Sequence, residues 1–316
     1  MARCCAGRMS MVKRPLVVGI GELLWDCFPD SQRPGGAPAN VAFHAGQLGL
    51  AVALCSRVGC DAAGEELVDF LARRGLDTRL IQRDRDRPTG TVTVALSEPE
   101  RPAYQIHENV AWDRLEFTAE WGRCAAAAAA ICFGTLAQRS ARSRATIMSM
   151  LDAAGDALRV YDVNLRAPWY SREVIVASLE RADVIKLNAD EAGELAGMLG
   201  LAGGTPAEIG AALRSAYPRA LVCITRGGDG CLVISADECA ELPGCRVEVV
   251  DAVGAGDAFT AALTYGLLAG WSAERSAAFA NEVGALVATR AGAMPVLEDE
   301  LAVRRARFGE APWSQG

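Results

Sequence analysis

Short apolar runs alternate with helix-period segments from residue 15 almost to the C-terminus, and no other feature restricts the fold of this chain so strongly. The runs "PLVVGIG" (15 to 21), "VALCSRVG" (52 to 59), "AAICFGTL", "RVYDVNL", "DVIKLN" and "ALVCITRGG" read as strands of a parallel sheet covered on both faces by helices. Between them "PANVAFHAGQLG" reads as a helix closed by Gly49, and "DAAGEELVDFLARRG" as a helix that starts on Asp61 and stops at Gly75. Further helices are expected around 140 to 155, over 171 to 182 and from Asp190 to Leu199. "ALVCITRGG" and "GCLVIS" form two strands joined by a glycine turn, ahead of a long C-terminal helical region.

The series is interrupted once. Residues 89 to 97, "TGTVTVALS", alternate with period two, and "AYQIHE" (103 to 108) follows a Pro-containing turn, the pattern of an antiparallel hairpin. Such an insertion is either a lid or an edge hairpin. With no repeat and no separating linker, the expectation is one α/β domain over 1 to 316, with lid segments at about 24 to 36 and 88 to 110.

A net charge of −7, from 39 acids and 32 bases spread without blocks, argues against nucleic acid as a partner. The eleven cysteines include no Cys-x-x-Cys pair, and the only histidines, His44 and His107, are far apart, so neither a disulfide framework nor a zinc site is expected. Cys55, Cys132, Cys223 and Cys231 lie in strand-like runs where a thiol serves as a small core residue. Free thiols, a poor signal-peptide pattern ahead of residue 15 and no apolar run of membrane length give a cytoplasmic expectation, with Cys4 and Cys5 in an N-terminal tail.

Chemistry concentrates in "DAVGAGDAFTAAL" (251 to 263). Its glycines let backbone amides converge, and a helix from about Asp257 to Leu268 adds the positive end of its dipole at the same point. That combination holds anions. Asp257 reads either as the helix N-cap or as a base that takes a hydroxyl proton while the amides of Gly254, Ala255 and Gly256 stabilise a transferring phosphoryl group. Lys13 and Lys186 are the only lysines and neither stands in a Walker motif, which excludes a P-loop. Gly19-Ile-Gly21 has Leu24 where a dinucleotide fingerprint carries its third glycine.

A second cluster, Gly35-Gly36-Ala-Pro-Ala-Asn40, precedes a helix and suits close approach of a polyhydroxylated ligand, with Asn40 able to donate and accept. Asp26, placed at the end of the first strand region, adds a carboxylate. Singly, Asn40 reads as a cap and Asp26 as a solvated loop acid; the combination with the distant Gly-Ala-Gly-Asp turn favours a site.

Together these motifs resemble the ribokinase/PfkB family of carbohydrate kinases along nearly the whole chain. "PGGAPANVAFHAGQLG" is similar to the family's first signature and "DAVGAGDAFTAAL" to its second; "KLNADEAGEL" carries its Asn-x-x-Glu spacing at Asn188 and Glu191, and "TRGGDG" its Thr-x-Gly-x-x-Gly nucleotide segment at Thr225, Gly227 and Gly230. The resemblance implies a three-layer αβα sandwich with a mostly parallel central sheet and a small β-sheet lid. It implies ATP as phosphoryl donor, Asp257 as base, and the Gly254 to Gly256 amides as anion hole. Asn188 with the nucleotide and Glu191 through water would organise Mg²⁺. Asp26, Gly35, Gly36 and Asn40 would hold the sugar, and Asn281 would border the adenine. Asp251 and the backbone at Val253, Val287, Arg290 and Gly292 correspond to the K⁺ site of some members. Ala252 departs from the family's Thr or Ser, which puts K⁺ dependence in question rather than catalysis.

"GELLWDCFP", "FGTLAQR" and "YDVNLRAPWY" are most similar to bacterial fructokinases. Asn164 and Arg166 follow a strand end, where open α/β sheets gather ligands, so both are candidates for sugar or phosphate contact; a structural salt bridge is the alternative for Arg166. Fructose is the expected acceptor, with 2-keto-3-deoxygluconate or ribose as alternatives and a non-catalytic sugar or nucleotide sensor as the reading from another class. Pairing of two copies through the lid is implied by the resemblance alone.

Overall fold

The computed structural model describes residues 13–95 and 103–313; Cys4, Cys5 and the turn of the expected hairpin lie outside them. In chain order, β1 (Leu16–Ile20), β2 (Leu24–Phe28), β3 (Ser31–Gly35), α1 (Ala37–Gln47), β4 (Ala51–Gly59), α2 (Ala62–Arg73), β5 (Ile81–Asp84), β6 (Gly90–Ala95) and β7 (Ala103–Ile106) make the first third. Then come α3 (Ala119–Ala127), β8 (Ala130–Gly134), α4 (Ala141–Asp152), β9 (Leu158–Asp162), α5 (Arg172–Leu179), β10 (Val184–Asn188) and α6 (Ala189–Leu199). The chain ends with α7 (Pro206–Ala216), β11 (Leu221–Thr225), β12 (Cys231–Ile234), β13 (Cys239–Leu242), α8 (Ala255–Leu268), α9 (Ala273–Ala288) and α10 (Glu298–Phe308).

Nine strands form one sheet in the order β13-β12-β11-β10-β9-β8-β1-β4-β5. All pairs are parallel except β11 with β12 and β12 with β13, which close one edge antiparallel. The strands are apolar on both faces because both are covered. Ile131, Phe133, Tyr161, Ile185 and Leu187 pack on one side with Trp121, Ile147, Ile175 and Leu195. Val17, Cys132, Val160, Val184 and Cys223 pack on the other with Val41, Phe259, Leu263, Val283 and Val287. Cys55, Cys132, Cys223 and Cys231 are buried, as their strand context predicted.

The four-stranded second sheet, β3-β2-β6-β7, accounts for the interrupted periodicity. β6 and β7 pair antiparallel, as expected, but β6 also pairs in parallel with β2, so the hairpin belongs to a separate sheet and is not an edge of the large one. Asp26 sits in the middle of β2, not at the end of the first strand as the sequence suggested. Residues 21 to 23 alone separate β1 from β2, so the small sheet stands directly over the C-terminal end of β1.

β1 has β4 on one side and β8 on the other; the chain leaves β1 toward β4 and β5 and later returns to β8 on its opposite flank. This reversal opens a crevice at the C-terminal strand ends, where doubly wound sheets bind ligands. No helix among the described residues is long and apolar enough to cross a membrane.

Candidate active site

The helix expected to begin near Asp257 begins earlier, at Ala255. Its N-cap is Gly254, in the left-handed region at φ 80° and ψ −9°. A Cβ at Gly254 would stand 2.7 Å from Ala293 Cα, so sterics and dihedral both demand glycine. Asp257 is therefore a first-turn residue and not the N-cap. Of the amides expected to hold an anion, Ala255 N–H turns back to Ala252 O (3.3 Å), whereas among the described residues Gly254 and Gly256 N–H have no protein acceptor. Free amides at the positive end of a fourteen-residue helix form a ready anion cradle.

Asp257 accepts a 2.7 Å hydrogen bond from Asn40 Nδ2. Asn40 is not a cap: it lies inside α1, 4% exposed, and its Oδ1 has no partner. The two glycine motifs, 217 positions apart, thus meet through one hydrogen bond. Burial pushes the Asp257 carboxyl up to about 6, with Asp162 adding to the rise and Asn40, Lys186 and Arg166 opposing it. Glu22, two residues past the end of β1, is also buried, and desolvation with Asp257 nearby pushes it up to about 7.

Arg166 forms no ion pair among the described residues, which removes the salt-bridge alternative; its Nη1 donates only to Leu165 O (3.0 Å). Its charge is felt by Asp257, Asp26 and Glu22, lowering all three against the burial that raises them. Asn164, two residues before it, holds a left-handed φ of 41°, a conformation asparagine adopts more readily than most residues and one that recurs at functional sites. Asp26 is partly buried rather than solvated, and its Oδ2 lies 2.5 Å from where a Cβ on Gly35 would be, so Gly35 makes room for that carboxylate. Gly36 is the N-cap of α1 and places Asn40 one turn inside the helix.

The Asn188–Glu191 pair forms a capping box on α6. Asn188 Oδ1 accepts from Glu191 N–H (2.9 Å), and Glu191 Oε2 accepts from Asn188 N–H (2.8 Å). Glu191 Oε1 takes Leu165 N–H (2.9 Å), joining the cap to the loop that carries Asn164 and Arg166. Burial raises the Glu191 carboxyl above its usual range. Thr225 ends β11, and Gly227 (φ 57°) and Gly230 (φ 93°) bracket the turn into β12. Asn281 on α9 donates to Pro243 O (3.3 Å) beside that turn. Thr225, Gly227, Gly230 and Asn281 gather at this turn, and among the described residues none of them is hydrogen-bonded to Asp257.

Asp251 is surrounded by donors: Arg33 Nη1 at 2.8 Å, Gly292 N–H at 3.0 Å and Val253 N–H at 3.1 Å. Arg33 belongs to β3, so this ion pair ties the small sheet to the loop before the anion cradle. Val287 O accepts Arg290 N–H (2.9 Å), and the Arg290 side chain bonds Thr289 Oγ1 (2.7 Å). No group of three or more His, Cys, Asp or Glu among the described residues could hold a metal ion.

Sequence reasoning passed over a buried network behind the cradle. Lys186 Nζ donates to both carboxylate oxygens of Asp162 (3.0 and 3.2 Å), and Thr260 Oγ1 donates to Asp162 Oδ2 (2.7 Å). It also passed over His44, whose Nε2 donates to Ala293 O (2.9 Å), the residue packed on Gly254; burial pushes this imidazole down to about 4.

Comparison with known proteins places this geometry in context. The chain matches the pfkB family of carbohydrate kinases over residues 6–300. It is 32% identical to a fructokinase of Oryza sativa subsp. japonica, covering 91% of this chain and 96% of that one. A sugar kinase of Pyrococcus horikoshii, solved in complex with ATP, superposes with a TM-score of 0.78 at 29% identity, covering 92% of this chain and 99% of the other. A fructokinase of Vibrio cholerae O395, solved with fructose, ADP and calcium, gives 0.76 at 25% identity over 94% and 99%.

Proposed function

The chain belongs to the pfkB family of carbohydrate kinases, and we propose that it transfers the γ-phosphoryl group of ATP to the primary C6 hydroxyl of D-fructose with Asp257 as general base. The observation that carries this reading is the Asn40–Asp257 hydrogen bond, which sets a carboxylate poised near pH 6 at the mouth of an anion-holding helix terminus. A base with that value is ionised at neutral pH yet still takes a proton readily.

In the proposed step the sugar O6 attacks phosphorus, the O6–Pγ bond forms and the bond from Pγ to the β,γ-bridging oxygen breaks. The O6 proton passes to Asp257, and ADP leaves. Gly254 and Gly256 N–H receive the charge on the transferring group, aided by the α8 dipole. Asn40, through its unpartnered Oδ1, and Asp26 accept sugar hydroxyls, while Arg166 and Asn164 border the sugar from the β9 side. The small sheet closes over the sugar and excludes water that would compete for the phosphoryl group. Fructose is favoured because the named relatives include plant and bacterial fructokinases.

The nucleotide lies along the Thr225–Gly230 turn and Asn281. Val247, Val249, Val250 and Val253, between 40% and 64% exposed, offer an apolar wall for the base. Mg²⁺ fits as an ion carried by the phosphates rather than one caged by protein, since both Glu191 oxygens already accept backbone N–H groups. When bound it would neutralise phosphate charge. A monovalent cation at Asp251 does not fit this arrangement, because Arg33 already supplies that carboxylate with a positive charge.

A coupled ADP-release assay with Mg-ATP across fructose, ribose, 2-keto-3-deoxygluconate, mannose, glucose and adenosine tests the proposal. Fructose is expected to give the highest kcat/KM, with a ³¹P signal of a C6 phosphomonoester. Higher turnover with another acceptor would replace the substrate, and sugar binding without ADP release across the panel would replace the enzyme by a sensor.

A further inference from the structure

Lys186 and Asp162 are register partners on adjacent parallel strands and project from the C-terminal end of the sheet toward the first turn of α8. Lys186 is 7% exposed and Asp162 4%. Lys186 Nζ lies 3.2 Å from the position a Cβ on Gly256 would take, closer than any other group outside that residue's own helix and neighbours. A cation at the positive end of a helix is placed against the dipole. A buried ion pair is also a poor stabilising device, since apolar residues of the same volume serve as well or better. The position is accounted for if an anion arrives at the other side of Gly256.

We propose that Lys186 is a positioning residue for phosphoryl transfer: its ammonium, fixed by Asp162 and standing behind Gly256, adds positive charge to the anion cradle and shields Asp257 from the negative charge of Asp162. The inference rests on the reading of Asp257 and the Gly254–Gly256 turn given above. The groups facing Asp257 are Asn40 from α1, Glu22 after β1, Asp162 from β9, Arg166 after β9 and Lys186 from β10. Of these, Lys186 and Asp162 form a neutral pair whose members act on Asp257 with opposite sign. Thr260 Oγ1 stands between the pair and the cradle's backbone, donating its one proton to Asp162 Oδ2 (2.7 Å) with Gly256 O, 3.0 Å away, as the alternative acceptor.

Three variants test this: Lys186→Met, Asp162→Asn and the double, which removes both charges at nearly constant volume and folds if either single variant does not. The readout is the acidic limb of kcat/KM against pH, with Asp257→Asn alongside. Lys186→Met is expected to lose about 10²-fold in kcat and to move the limb up by about one pH unit. Asp162→Asn should move the limb down, and the double should return it toward wild type with kcat below wild type. A limb unmoved in every folded variant, or a double variant turning over like wild type, overturns the inference. If Asp257→Asn itself retains turnover, the base assignment fails instead; if it loses turnover while Lys186→Met keeps both rate and limb, only the role of Lys186 falls.

Discussion

Replacing Asp257 by asparagine is predicted to stabilise the protein while stopping its chemistry. The carboxyl titrates near 6 in the folded chain against 3.8 when unfolded, chiefly because of burial and secondly because of Asp162. A carboxyl raised on folding favours the native state while it is protonated. Its contribution is fully present below pH 3.8, declines as pH rises through about 6, and stays absent above. A gap of about two units at about 1.4 kcal/mol each gives about 3 kcal/mol; partial exposure of the side chain reduces this to about 1–3 kcal/mol. Asparagine is never charged and its Oδ1 still accepts from Asn40, so the variant avoids the penalty and keeps the contact. For 316 residues at about 2.1 cal/mol/K each, the gain corresponds to roughly 1.5–4.5 °C in Tm. Differential scanning calorimetry of both proteins at pH 7.5 and pH 4.5 measures it. His44 and Glu22 titrate in both proteins, so their direct contributions largely cancel in the difference. A variant that melts higher at pH 7.5 with a smaller gap at pH 4.5 agrees; a variant that melts at or below wild type at pH 7.5, or whose gain is independent of pH, refutes the reasoning.

His44 makes the opposite pH signature. Its folded value near 4 lies below the model-peptide 6.5, so its stability contribution is complete above pH 6.5 and is lost as pH falls toward 4; urea midpoints of wild type and His44→Gln should converge as pH drops from 7 to 5. Gly254→Ala should lower stability by about 1–3 kcal/mol through its forced φ and the clash at Ala293, and kcat should fall with it; a steady-state assay showing unchanged kcat would contradict the cradle geometry. Because Arg33 supplies the cation at Asp251, wild-type turnover in KCl and NaCl should agree within about twofold, and Arg33→Ala should introduce a difference between the two salts.

Much of this was legible in the sequence because the signals are local. Doubly covered strands, the helix stops at Gly49 and Gly75, and the glycine turns at 35 to 36 and 254 to 256 are each written within a dozen residues. What escaped depends on register. Lys186 and Asp162 stand side by side only because β9 and β10 pair in that phase, and Lys186, weighed solely as a missing P-loop lysine, gave no sign of it. The parallel β2–β6 pairing, which makes a small sheet out of what read as a single hairpin, is likewise a contact between distant segments. The N-cap alternative for Asp257 falls because Gly254 takes that place and Ala255 and Gly256 already belong to the helix, although a glycine at 256 reads locally as turn. His44 resembled any residue on an apolar helix face, since its partner, a carbonyl 249 positions away, is invisible to spacing.

Rapid-quench single-turnover kinetics with Mg-ATP and fructose, run beside calorimetric fructose titrations, address Asp257 most directly. The account predicts that Asp257→Asn binds fructose within about threefold of wild type and forms fructose 6-phosphate about 10³-fold slower or worse. A variant that binds fructose normally and transfers phosphate within tenfold of the wild-type rate would contradict the assignment of Asp257 as the base.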